Sequence, residues 1–206
     1  VDLPPYMEEN DFNKNEIAQL QGAVRKLDLC LGRILDALRE TGLMQETIVV
    51  FTVDHGIEFP RAKKFLYDPG IEIALLVSVP GTQGGQVCDW LLSNVDLVPT
   101  LLNLIGFTLP ENLEGLSFAD CFAGGKSPLR KEIFGFFQPT GLRCVRTIRH
   151  KLIRNFEFRK LLKVPVNAEN PRFEKEKCPP VQLFDLEADP NEVENVVDEE
   201  GYTREL

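Results

Sequence analysis

Seven consecutive residues, Thr47-Ile-Val-Val-Phe-Thr-Val53, constrain this chain more than any other stretch. They are β-branched or aromatic and show no polar alternation, a pattern that suits a strand buried on both faces. Such strands belong to parallel sheets covered by helices. Glu72–Val79, stopped by Pro80, reads the same way, and Asp54–Gly70 between them is a polar, charged loop too long for a tight turn.

Helical patterns flank these strands. Ile17, Leu20, Val24, Leu27, Leu31, Ile34 and Leu38 recur in steps of three and four from Asn15 onward, with Arg25, Lys26, Arg33 and Arg39 on the other side. Gly42 is the expected stop, because glycine enters the left-handed region cheaply. Asp96–Ile105 reads as a second helix, with Asp96 as its cap, Pro99 in its first turn and Gly106 closing it. Residues 107–130 are a Gly/Pro-punctuated connection. Beyond it, Glu132–Phe137, Arg143–Ile148, Lys151–Phe156 and Val181–Leu186 are short strands, the middle two joined at Arg149-His150 as a hairpin. The expected architecture is an α/β domain over 1–125, followed by a small α+β subdomain with an antiparallel sheet and an acidic tail over 126–206.

Composition excludes several classes. The 206 residues are 43% hydrophobic and 27% charged, the balance of a globular chain and not of a disordered or coiled-coil one. The longest apolar runs, Ile48–Phe51 and Ile73–Val77, fall far short of the roughly 18 residues a membrane span needs. No signal peptide is visible, and with no initial Met the natural N-terminus is expected to lie upstream. Net charge is −9, unevenly placed: residues 126–177 carry fourteen bases and five acids, and 183–206 nine acids and one base. A basic stretch could attract an anionic glycan. Neither interleaved aromatics nor zinc-finger spacing supports nucleic acid. Cysteines 30, 88, 121, 144 and 178 are odd in number and scattered, with no CxxC, which argues against a disulfide framework. Cys30 and Cys144 fall in apolar-patterned elements and read as core residues.

Ligands in open α/β sheets sit at the carboxyl ends of strands. Here the first strand exits into Asp54-His55-Gly56, a carboxylate, an imidazole and a glycine at one turn. Oxygen and nitrogen donors together suit a divalent cation such as Ca²⁺, Mn²⁺ or Zn²⁺, while Asp-x-Gly is also ordinary turn chemistry. Arg61, Lys63 and Lys64 follow within ten residues of Asp54, cations that suit the oxygens of a sulfate or phosphate.

The run Phe51-Thr-Val-Asp-His-Gly-Ile-Glu-Phe-Pro-Arg-Ala-Lys-Lys-Phe-Leu-Tyr-Asp-Pro-Gly-Ile-Glu72 resembles the type I sulfatases of the alkaline phosphatase superfamily. It is most like the branch containing N-sulfoglucosamine sulfohydrolase (heparan N-sulfatase) and its bacterial relatives. Leu31–Leu38, Asn94–Leu102, Arg146–Ile153 and Leu183–Glu192 agree with it in consistent order along the chain. The resemblance implies an alkaline-phosphatase-like mixed or parallel sheet flanked by helices. It implies that Asp54 and His55 are the second pair of metal ligands, although many sulfatases have Asn where His55 stands. It makes Lys63 the residue that contacts the sulfate, with Arg61 and Lys64 flanking it at the substrate, and Ca²⁺ the expected metal.

Two family features have no counterpart. No Cys or Ser here begins the Cys/Ser-x-Pro-x-Arg motif that yields the formylglycine nucleophile, and the first, Asp-Asp ligand pair is missing. The chain therefore resembles the C-terminal portion of a sulfatase acting on a sulfated sugar, its expected partner being the N-terminal half of the same enzyme. Alone it would be inactive. An exported, periplasmic or lysosomal location follows from the resemblance if a targeting signal lies upstream. The alternatives are a phosphonate monoester or phosphodiester hydrolase of the same superfamily, or a non-catalytic module binding anionic glycan through 126–177.

Overall fold

The computed structural model describes residues 1–125, 130–138, 141–156 and 179–199. Contacts divide them into two units, one of Val1–Gly81 with Asn191–Val193, the other of the remainder. In this division residues 82–125 group with the antiparallel sheet. Residues 157–178 of the expected connection 157–180, Cys178 among them, and much of the basic stretch 126–177 lie outside the described residues.

The first unit opens with helix α1, Asp11–Glu40, four residues earlier than the apolar steps predict. The reason is Asn10, whose side chain accepts the Asn13 N–H at 2.8 Å and so caps the helix ahead of its apolar stripe. Thr41 ends the helix, and Gly42 takes φ +76° as expected of the stop, leading into a 3-10 turn, Leu43–Glu46. Ile17 is buried, whereas Val24, Leu27 and Ile34 of the same stripe are exposed. Cys30 is exposed as well, so it is not the core residue its neighbours suggested; no described segment covers that length of helix as the core would.

Strands β1 (Val49–Thr52) and β2 (Leu75–Ser78) form a two-stranded pair with Val49 opposite Ser78 and Thr52 opposite Leu75. They run antiparallel to each other, where the apolar runs alone suggested a parallel sheet and the resemblance a mixed or parallel one. An apolar run without alternation reports burial on both faces, which favours a parallel sheet without excluding an antiparallel neighbour in a mixed one. The burial itself is partial, and Leu76 is 61% exposed. Between the strands lies one short helix, α2 (Asp68–Ile71).

In the second unit, helix α3 spans Leu97–Leu104, with Gly106 at φ +82° beyond its end. A 3-10 turn, Asn94–Asp96, precedes it; Asp96 holds the N-cap position of α3 as expected but makes no side-chain capping bond there, and Ser93 caps the turn. Ser93 and Asp96 form a reciprocal capping box in which Asp96 is the third residue. Strands β3 (Glu132–Phe137), β4 (Leu142–Thr147), β5 (His150–Asn155) and β6 (Val181–Asp185) make an antiparallel sheet in that order, within a residue or two of the expected bounds. Its covered face carries Leu142, Cys144, Ile153 and Phe184, all buried, while Phe134 and Phe136 on the opposite face are exposed. Among the described residues no helix is long and apolar enough to cross a membrane.

Candidate active site

Beyond β1 the chain leaves the pleat at Val53, and the next two side chains come together. His55 Nε2 lies 3.3 Å from Asp54 Oδ2. His55 Nδ1 lies 2.8 Å from the Gly56 carbonyl oxygen. With one ring nitrogen turned to a backbone carbonyl, the other faces the Asp54 carboxylate, so that a nitrogen and an oxygen donor converge at one exposed point. Asp54 is 85% exposed and His55 44%, which leaves their other lone pairs open to further ligands. The donor set thus fits half of a divalent metal site. Among the described residues no group of three His, Cys, Asp or Glu side chains completes one.

The loop that follows is tightly folded. Gly56 donates its N–H to the Gly70 carbonyl at 3.0 Å, and a Cβ on Gly56 would collide with the Pro69 carbonyl oxygen. Gly70 is equally constrained by the Ala62 and Phe65 carbonyls. Ile57, two residues beyond His55, accepts the N–H groups of both Phe59 and Lys63 at 2.9 Å. That second bond ties the backbone of Lys63 to the exit of β1. Arg61 and Lys64, on either side of Lys63, sit at φ +59° and +75°, a region that costs non-glycine residues on the order of 1 kcal/mol each.

Buried anchors hold this strained backbone in place. Ala62, Leu66 and Tyr67 are all but inaccessible. The Arg61 guanidinium lies 3.7 Å from the centroid of the Tyr67 ring and 5.8 Å from that of Tyr6, and it donates to the Glu192 carbonyl. Glu192, fully buried and itself at φ +56°, accepts the Asp68 N–H on its carboxylate at 2.5 Å. Arg61, which the resemblance places beside the substrate, is engaged by Tyr6, Tyr67 and the Glu192 carbonyl. Lys63 is 34% exposed with its Nζ 3.9 Å from Glu58 Oε2, and Lys64 Nζ is 3.5 Å from Glu58 Oε1.

Sequence reasoning missed Glu192 and Glu58. Glu192 stands in a run of acids that reads as a solvated tail, and only its place just after Asp189-Pro190 hints at a turn. Glu58 is one carboxylate among several in a polar loop, and its pairing with two lysines depends on how that loop folds.

The family described as "Sulfatase" matches residues 4–107, half of the chain, and the one described as "N-sulphoglucosamine sulphohydrolase, C-terminal" matches residues 56–205. The chain belongs to the sulfatase family. An ulvan-active sulfatase of Formosa agariphila is 28% identical over 228 residues, covering 99% of this chain and 38% of that protein. Human N-sulphoglucosamine sulphohydrolase is 29% identical over 174 residues, 76% of this chain and 34% of that enzyme. The fold matches a 2-O GAG sulfatase with a TM-score of 0.75 at 24% identity, over 95% of this chain and 41% of the other. It also matches a protein solved with its substrate D-glucosamine-2-N,6-O-disulfate, with a TM-score of 0.64 at 24% identity over 88% and 36%. This sulfatase chain spans little more than a third of the length of those two curated relatives. Sulfatases generally use a divalent metal and a formylglycine.

Proposed function

We propose that this chain is the part of a sulfuric ester or sulfamate hydrolase that contributes the Asp54–His55 metal pair and the sulfate-contacting Lys63. The substrate would be a sulfated sugar. The observation that carries the reading is the convergence of the Asp54 carboxylate and the His55 imidazole to 3.3 Å, in a loop that ties Lys63 to Ile57. A divalent cation held there, Ca²⁺ first and Mn²⁺ or Zn²⁺ as alternatives, would act as a Lewis acid on the sulfuryl oxygens, and the formylglycine of the remaining polypeptide would supply the nucleophile.

The chain's own residues then have separable tasks. Lys63 places its ammonium against the sulfuryl oxygens, where negative charge concentrates as the bond to sulfur breaks, and stabilises that charge through charge-assisted hydrogen bonds. Glu58 lies within 4 Å of the lysine and restrains its search. Lys64 adds positive potential beside it. Arg61 and Glu192 keep the loop in its left-handed turns, so they position Lys63 without touching the sugar.

The test is sulfate release, measured by ion chromatography, from D-glucosamine-2-N,6-O-disulfate by the complete polypeptide that contains this chain. Release that is abolished by a chelator and restored by Ca²⁺ supports the proposal. Faster turnover of phosphate diesters than of sulfates would favour the phosphodiesterase alternative. Retention on heparin without hydrolysis, undiminished by Lys63→Ala, would favour a glycan-binding module.

A further inference from the structure

Arg143 of β4 and Arg154 of β5 are direct cross-strand partners on one face of the antiparallel sheet, and both are exposed. Like charges opposite each other on a sheet repel. Among the described residues no carboxylate pairs with either guanidinium to relieve this. Both instead lie against one aromatic ring, the Arg143 guanidinium 5.4 Å and the Arg154 guanidinium 4.9 Å from the centroid of Phe156. The row continues into β3, where Phe136 stands opposite Arg143 and Phe134 shares its face two positions away. Phe134 and Phe136 are 73% and 74% exposed, and Phe156 is exposed as well. Core packing does not ask for these rings, because the covered face of the same strands is filled by Leu142, Cys144 and Ile153. Glu132, the acid on this side of β3, stands four positions from Phe136, opposite Thr147. Three exposed rings around two uncompensated cations form a patch, not the scattered exposure of single apolar residues.

We propose that this face of the sheet is a binding surface for a sulfated polysaccharide, built from residues other than the Asp54–His55 pair and Lys63. Sulfate oxygens accept charge-assisted hydrogen bonds from the two guanidiniums, and the anion between them removes their repulsion. A pyranose ring, whose axial C–H bonds make one side apolar, lies against Phe136 or Phe134. The cations supply attraction for any anion, and the rings add a contact that a bare anion lacks, so the combination fits a sugar that carries sulfate. A polysaccharide held here is retained by side chains that take no part in sulfate release, and the surface needs no metal.

The test titrates a heparin octasaccharide into the chain by calorimetry, with a chelator present throughout. The proposal predicts binding that weakens as salt rises and is unchanged by Lys63→Ala. Arg143→Ala and Arg154→Ala, checked for folding by circular dichroism, should each raise Kd roughly tenfold. Phe136→Ala should raise it about fivefold. No binding by the wild-type chain, or an Arg143→Ala/Arg154→Ala variant within twofold of it, would overturn the proposal. Inorganic polyphosphate binding as tightly as the octasaccharide, with Phe136→Ala without effect on either, would overturn it by showing an unselective anion site. Self-association of the chain that the double variant abolishes, with octasaccharide affinity unmoved, would overturn it in favour of a second copy on this face. Sulfate release by the complete polypeptide is measured separately, so loss of that activity with octasaccharide binding intact would support the surface while removing the catalytic reading.

Discussion

Lys63→Ala in the complete polypeptide lowers kcat/KM for a sulfated glucosamine by about 10²–10³-fold, with most of the loss in kcat. The expectation follows from where the ammonium works. A cation that met substrate and transition state equally would change KM alone, whereas one facing oxygens that gain charge during S–O or S–N cleavage is felt in kcat. The substitution leaves the loop intact, because the bond that ties position 63 to Ile57 is made by the backbone N–H and survives in alanine. Lys63→Arg keeps the charge on a bulkier, planar head, and an intermediate loss of roughly tenfold is expected. Steady-state kinetics on the three proteins check this, and a Lys63→Ala enzyme within twofold of the wild type would remove Lys63 from the proposed chemistry.

The largest expected effect on stability lies at Asp96. Its carboxylate is inaccessible to solvent and accepts from the Ser93 and Leu116 N–H groups and from the Arg130 guanidinium. Alanine there strands two backbone donors and the guanidinium of Arg130, whose side chain is only 22% exposed. Removing one partner of a buried ionic cluster costs about 3–5 kcal/mol, which lowers Tm by about 10 °C in a chain of this length. Asp96→Asn keeps one oxygen acceptor but loses the charge and should fall between the two. Thermal unfolding followed by circular dichroism measures the difference, and an Asp96→Ala chain melting within a degree of the wild type would contradict the assignment.

What the sequence made legible was local. Gly42 marks the end of α1 because the left-handed conformation singles out glycine, and the four C-terminal strands appear within a residue or two because alternation and turn residues act over short spans. The Asp54-His55-Gly56 exit could be read because the residue types and the strand's end coincide. Non-local features were out of reach. The direction in which β2 meets β1 depends on the path of the chain between them, not on either run. Asp96 does stand at the N-cap position of α3, but its carboxylate is spent in the capping box of the preceding turn with Ser93, which the helix pattern alone does not show. The engagement of Arg61 by Tyr67 and by the Glu192 carbonyl, the latter 131 residues away, was equally out of reach. Cys30 follows the helical pattern of its apolar neighbours yet lies exposed, because periodicity shows that a residue can be covered without showing that anything covers it.

The central claim, that Asp54 and His55 hold a divalent cation beside Lys63, is tested most directly by titrating Mn²⁺ into the ¹⁵N-labelled chain and following paramagnetic broadening by NMR. The account predicts that the amide signals of Asp54, His55 and Gly56 broaden first and that of Lys63 next. It predicts a weak Kd of about 10⁻³ M for so incomplete a ligand set, and loss of the effect in Asp54→Ala. Broadening centred instead on the acidic residues 185–199, and unchanged by Asp54→Ala, would contradict it.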